Sequence, residues 1–233
     1  MNSRYRIAAG AFIIALAGAG TVHANVVYTV NLDTSPLMSV AGDYALAFQL
    51  NDGSGAGDAN NTVTLSNFNF GGGSAAGCPV NCTLLGGASG DATTTVNLTD
   101  SSFFNSLAQR FTPGSGLSFK VDLATNLDAG GVADFFGFSI LLDGSAIPTQ
   151  DPLGADTLLA VDIDTSNPLL VPFATAAGSP AALTAPTVAL APPPGQIPEP
   201  GSLLLMGIGL MSLAGIAGGN IRGLRRPRVV CVA

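Results

Sequence analysis

Tyr44-Ala45-Leu46-Ala47-Phe48-Gln49-Leu50 decides the fold class. Its large apolar residues fall at every second position, with small or polar residues between them. A period of two turns one face of an extended strand toward a core and the other toward water. The pattern recurs at Val26, Tyr28, Val30 and Leu32, and at Val63 and Leu65 with Phe68 and Phe70 after a slip of register. It returns at Leu117, Phe119, Val121 and Leu123, and again at Phe136, Phe138, Ile140 and Leu142. Residues 158–163 read as a further strand, and Gly, Asn, Asp and Pro turns separate the runs. The expectation is an all-β chain with a single antiparallel β-sandwich, jelly-roll-like, over residues 25–173. One short helix is expected at 102–111, where Phe103, Phe104, Leu107 and Phe111 recur at helical spacing before Pro113-Gly114.

Charge excludes one class of partner. Between residues 25 and 200, fourteen aspartates and Glu199 stand against Arg110 and Lys120 alone, a formal charge of −13. Phosphate neutralisation needs clustered Lys and Arg, so nucleic acid is excluded. The apolar residues are numerous and patterned, which argues for a packed domain and against disorder.

Catalytic constellations are missing from the sequence. His23 is the only histidine and precedes the expected export cleavage, so no Ser-His-Asp or Cys-His arrangement can form in the mature chain. A carboxylate pair would have to come from Asp134, Asp143, Asp162 or Asp164, whose spacing matches that of ordinary turn and strand-end aspartates. The chain is therefore expected not to be an enzyme, and no organic cofactor is expected.

Calcium is the one metal that suits an aspartate-rich domain, because hard cations take oxygen ligands. Asp162-Ile163-Asp164 sets two carboxylates on one strand face, with Asp151 and Asp156 upstream. Asp52-Gly53-Ser54-Gly55-Ala56-Gly57-Asp58 is a second acidic loop. The competing reading is that these aspartates only serve turns and solvated faces. Cys78-Pro79-Val80-Asn81-Cys82 lies in the exported part, where thiols oxidise, and is expected to close as a disulfide. Its spacing is not that of a redox or zinc pair. Cys231 belongs to the other end of the chain.

Both ends carry export information. Arg4 and Arg6 precede an apolar stretch at 7–22, and Val22-His23-Ala24 forms a small-residue cleavage site before Asn25, so residues 1–24 read as a signal peptide with signal peptidase as its processing enzyme. Near the other end, Pro198-Glu199-Pro200 contains the only glutamate of the chain. Its two prolines fix φ and remove donors, so the segment neither joins a helix nor enters a sheet. An uncharged run rich in Leu, Ile and Met follows and reads as a transmembrane helix at about 202–221, with Gly207, Gly209 and Gly215 allowing close helix approach. Arg222, Arg225 and Arg226 then form a basic stop that stays in the cytoplasm by the positive-inside rule, with 227–233 as a cytoplasmic tail.

In that order, motif, span and basic cluster resemble the PEP-CTERM sorting signal of exported bacterial proteins, here over residues 197–226. The resemblance implies recognition by an integral-membrane exosortase that cuts near Pro198-Glu199-Pro200. The tail Pro227 to Ala233 departs from the family habit of stopping near the arginines. Residues 174–196, rich in Ala and Pro and ending in Ala191-Pro192-Pro193-Pro194-Gly195, read as a spacer, although 188–191 also fit a last edge strand.

The body itself, through 28–35, 44–50 and 138–143, resembles a group of small PEP-CTERM proteins of unknown activity. The expected protein passes through the inner membrane, is held there transiently and ends at the cell surface or outside it, as a matrix or envelope component. The alternative is a polysaccharide-binding module, calcium-assisted, with exopolysaccharide as its partner. Against it, the exported part has no tryptophan, and Tyr28 and Tyr44 both lie in alternating runs.

Overall fold

The computed structural model describes residues 25–55, 57–124, 132–163 and 168–191. The chain forms β1 (Val26–Leu32), a 3-10 turn (Ser35–Ser39), β2 (Tyr44–Asn51), β3 (Thr62–Asn69), β4 (Ser74–Ala75), β5 (Cys82–Leu85), β6 (Gly87–Gly90) and β7 (Thr95–Thr99). It continues through β8 (Phe104–Thr112), β9 (Leu117–Ala124), β10 (Asp134–Leu142), β11 (Ser145–Ala146), β12 (Leu159–Ile163), β13 (Val171–Pro172) and β14 (Thr187–Leu190). Among the described residues there is no α-helix, and no helix is long and apolar enough to cross a membrane. The helices expected at 7–22 and about 202–221 lie outside the described residues.

The strands make two antiparallel sheets. A six-stranded sheet has the order β14-β1-β9-β3-β7-β6, and an eight-stranded sheet the order β13-β12-β10-β2-β8-β4, with β5 also on β8 and β11 on β10. Their inner faces share one core. Phe48 of β2 stacks on Phe138 of β10 with ring centroids 4.9 Å apart, and both meet Phe119 of β9 edge-on at 5.6 and 5.3 Å. These contacts tie one sheet to the other. Each such aromatic pair adds about 0.5–1.5 kcal/mol beyond the apolar area it buries.

The slip of register in the third run has a local cause. Ser66 pairs with Lys120 but Asn69 pairs with Ser118, so β3 spends three steps where β9 spends two. That is a β-bulge. Asn67, at φ +56°, takes the left-handed conformation that asparagine tolerates better than most residues. The extra residue brings Phe68 and Phe70 against the core.

Two expectations are corrected. Residues 102–111 are not a helix: Phe104–Thr112 is strand β8, paired with β2 on one side and with β5 and β4 on the other. Its inward row is Asn105, Leu107, Gln109 and Phe111, so two polar residues hide the period of two. Both are fully buried with their groups paired. The Asn105 amide donates to the carbonyls of Leu50 and Ser102 and accepts from the Gly87 and Ser102 amides. Gln109 accepts from the Ala92 amide at 2.7 Å and donates to the Ala76 carbonyl at 2.9 Å. Phe103 and Phe104, which gave the helical spacing, are exposed.

The spacer begins later than expected. Thr175 bridges to Thr149, Ala181 and Leu183 enter the core, and β14 pairs with β1, so residues 174–191 belong to the domain. Alanine and proline dominate this stretch, yet its few apolar anchors fall where the core needs them.

Replacing Asn105 with Leu makes the residue more apolar but strands four backbone groups of Leu50, Gly87 and Ser102. Urea unfolding is expected to show a loss of about 1–3 kcal/mol. An unchanged midpoint would show that these bonds contribute nothing.

Candidate functional site

The two ends of the domain come together. In the β1–β14 pair, Tyr28 lies opposite Leu190 and Asn31 opposite Thr187, and the Ala191 amide donates to the Val27 carbonyl at 2.7 Å. Antiparallel pairing therefore sets the first residues after Asn25 beside the last residue of the domain. Asn25 itself is exposed. Ala24, the sorting residues Pro198, Glu199 and Pro200, the arginines Arg222, Arg225 and Arg226, and Cys231 all lie outside the described residues.

That same end of the sandwich is closed by a polar plug. Asp52, Asn61, Asp100 and Asp134 are each at most 1% exposed. They extend the inward rows of β2, β3, β7 and β10 by one step: Leu50 is followed by Asp52, Leu98 by Asp100, while Asn61 precedes Val63 and Asp134 precedes Phe136. Burial of a carboxylate demands partners. Asn61 supplies them across the gap between sheets, donating its side-chain amide to Asp134 Oδ2 at 2.8 Å and its backbone amide to Asp100 Oδ2 at 3.0 Å. The Gly53 amide donates to Asp134 Oδ1 at 2.8 Å. Among the described residues, no hydrogen-bond partner meets Asp100 Oδ1. These four polar positions fall one step beyond the last apolar residue of each alternating row, which is the signal that marks them in the sequence.

The plug holds two carboxyls of opposite character. Burial pushes Asp100 up to about 7; the Asn61 amide works against this, and the hydrogen bond and charge of Asp134, with the charge of Asp58, add to it. For Asp52, burial also acts upward, but the Ser54 hydroxyl and the amides of Gly57, Gly55 and Asp58 outweigh it and hold the carboxyl below its ordinary range. The 52–58 loop thus wraps its own anion with backbone donors.

The other candidate ligands are dispersed. Asp162 is exposed on β12, and Asp164 lies outside the described residues. Asp151 is buried and accepts from the Thr157 hydroxyl at 2.7 Å and the Leu153 amide at 2.9 Å, while Asp156 accepts from the Thr149 amide at 3.1 Å. Among the described residues, no three His, Cys, Asp or Glu side chains gather to hold a metal ion. Cys78 and Cys82 are joined by a disulfide, Cα to Cα 5.2 Å, at the entry to β5. Tyr28 and Tyr44 are buried, their hydroxyls donating to the Pro168 carbonyl and to those of Leu37 and Val40.

Residues 196–226 match the family model of the PEP-CTERM protein-sorting motif. The chain carries a PEP-CTERM sorting signal. Comparison with curated proteins and with solved structures returned no match. A PEP-CTERM signal directs its carrier to the cell exterior through exosortase, and here Pro198, Glu199, Pro200, Arg222, Arg225 and Arg226 all lie inside the matched segment. The match covers the tail alone and leaves the sandwich at 25–191 outside it.

Asp100 fixes a pH dependence. Its folded value, about 7, lies above the ordinary carboxyl value of 3.8, so the folded state holds a proton that the unfolded chain releases. The stability this confers is complete at acid pH and is lost as pH rises from about 4 through about 7. Melting temperatures measured from pH 5 to pH 8 are expected to fall in the parent protein and to fall less in Asp100→Asn. Parallel profiles would remove Asp100 as the cause.

Proposed function

We propose that this chain is an exported, non-enzymatic protein whose sandwich is a component of the extracellular matrix or envelope. Signal peptidase releases residues 1–24, the span at about 202–221 holds the domain transiently at the inner membrane, and exosortase cuts near Pro198-Glu199-Pro200. The sorting motif at 196–226 carries this reading. The domain is suited to it, since Val27, near its first described residue, and Ala191, its last, are hydrogen-bonded to each other at one end of one sheet.

The non-enzymatic reading draws support from the aspartates. Asp52, Asp134, Asp151 and Asp156 accept hydrogen bonds that shape loops and join strands. The exported part also lacks histidine.

Polysaccharide binding is the second reading. It is favoured by an open concavity of about 570 Å³ on the outer face of the eight-stranded sheet, bordered by Asp43, Asn81, Arg110 and Asp143.

Intact-mass measurement of the exported protein tests the first reading. The mature species is expected to begin at Asn25 and to lack residues 203–233, and Glu199→Ala is expected to accumulate the uncut form. Retention of 203–233 in a producer with active exosortase would refute processing.

A further inference from the structure

The outer face of the eight-stranded sheet forms a trough with a floor of small side chains. Register places Ala108 of β8 opposite Ala47 of β2, and Ala47 opposite Ser139 of β10. One step further along, Ser106, Gln49 and Gly137 make the next row. A Cβ on Gly137 would come within 3.0 Å of the Phe135 ring and 3.2 Å of the Gln49 amide, so this glycine lets both side chains lie against the sheet. No charged side chain interrupts the floor from Arg110 to Phe104, six residues along β8 and about 20 Å at the rise of a strand. Two concavities, about 570 and about 110 Å³, lie along this face with Ala108 bordering both.

The two ends of the trough differ. At one, Arg110 pairs with Asp43 at 3.0 Å, and the Asp43 amide donates to Asp143 Oδ1 at 2.9 Å. The disulfide-closed loop stands beside them, its Asn81 carbonyl accepting from the Arg110 amide at 2.9 Å. A guanidinium, two carboxylates and an amide thus gather on one rim. At the other end, Phe104 presents a ring that is 41% exposed.

We propose that this trough binds an uncharged polysaccharide chain laid along the strand direction. It rests on the polysaccharide-binding reading and gives that reading a site and a ligand class. A sugar ring offers C–H faces to alanine methyls and a phenyl ring, and hydroxyls to carboxylates, amides and a guanidinium. An open trough lets a polymer pass through, where a closed pocket would select a small molecule. The formal charge of −13 over residues 25–200 opposes an anionic polymer. A peptide adding as a strand has no place here, because β2 and β10 are interior to the sheet and β5 and β4 cover the outer edge of β8.

The mature exported protein, titrated calorimetrically with neutral glucan and mannan oligosaccharides of increasing length, is expected to bind saturably and more tightly as the chain lengthens. Ala47→Trp fills the floor and is expected to weaken binding at least about tenfold, about 1.4 kcal/mol. The surface variants Phe104→Ala and Asn81→Ala are expected to weaken it several-fold at an unchanged melting temperature. Binding to the producer's exopolysaccharide that none of these variants alters would overturn the site and leave the reading standing. Absence of saturable binding to that polymer and to the oligosaccharides would overturn both. A preference for oligogalacturonate, or for an extended peptide, would overturn the ligand class.

Discussion

Everything in this domain depends on two sheets keeping their inner faces in one core. Phe48, Phe119 and Phe138 meet where the sheets are tied together, and only strict alternation delivers them there. A slip of one residue would turn a whole row of apolar side chains to water. The bulge at β3 is the exception that obeys the rule: the extra residue is absorbed locally, with Asn67 in a left-handed conformation, and Phe68 and Phe70 still reach the core. The same alternation governs the ends of the strands, where the inward row continues as Asp52, Asn61, Asp100 and Asp134 instead of stopping.

The plug shows how buried charge is tolerated. Asp52 is surrounded by donors and stays ionised, whereas burial, with Asp134 and Asp58 adding to it, drives Asp100 toward the protonated form. Burial acts upward on both carboxyls, and they diverge because the 52–58 loop offers enough donors to outweigh it while Asp100 has one amide against it. Asn61 is the hinge of the arrangement, since it reaches Asp100 on its own sheet and Asp134 on the facing one. A calcium loop and a loop that wraps its own carboxylate share the same composition, so Asp52 to Asp58 could not be told apart by sequence. Only the direction of the Gly55 and Gly57 amides separates them.

What was legible in the chain follows from how each feature is encoded. β1, β2, β9 and β10 were readable because their inward rows are apolar. β8 was not, because Asn105 and Gln109 occupy inward positions and find partners in Leu50, Gly87, Ala92 and Ala76, none of which is near in sequence to the group it satisfies. The packing of 174–191 was obscured in the same way: Ala181 and Leu183 are too few to make a pattern, and their burial is decided by distant strands. The sorting signal stood out because its parts lie in linear order at 196–226. The trough left no linear trace, since its floor takes alternate outward residues from separate strands.

The topology also separates the part that is delivered from the part that delivers it. β1 starts and β14 ends at the plug end of the six-stranded sheet, because Val26 pairs with Leu123 and Ala124 pairs with Thr62, next to Asn61. The rim of Asp43, Arg110 and Asp143 sits on the other sheet, at the opposite end of β2, about 24 Å away along an eight-residue strand. The first and last strands of the domain therefore end away from that rim.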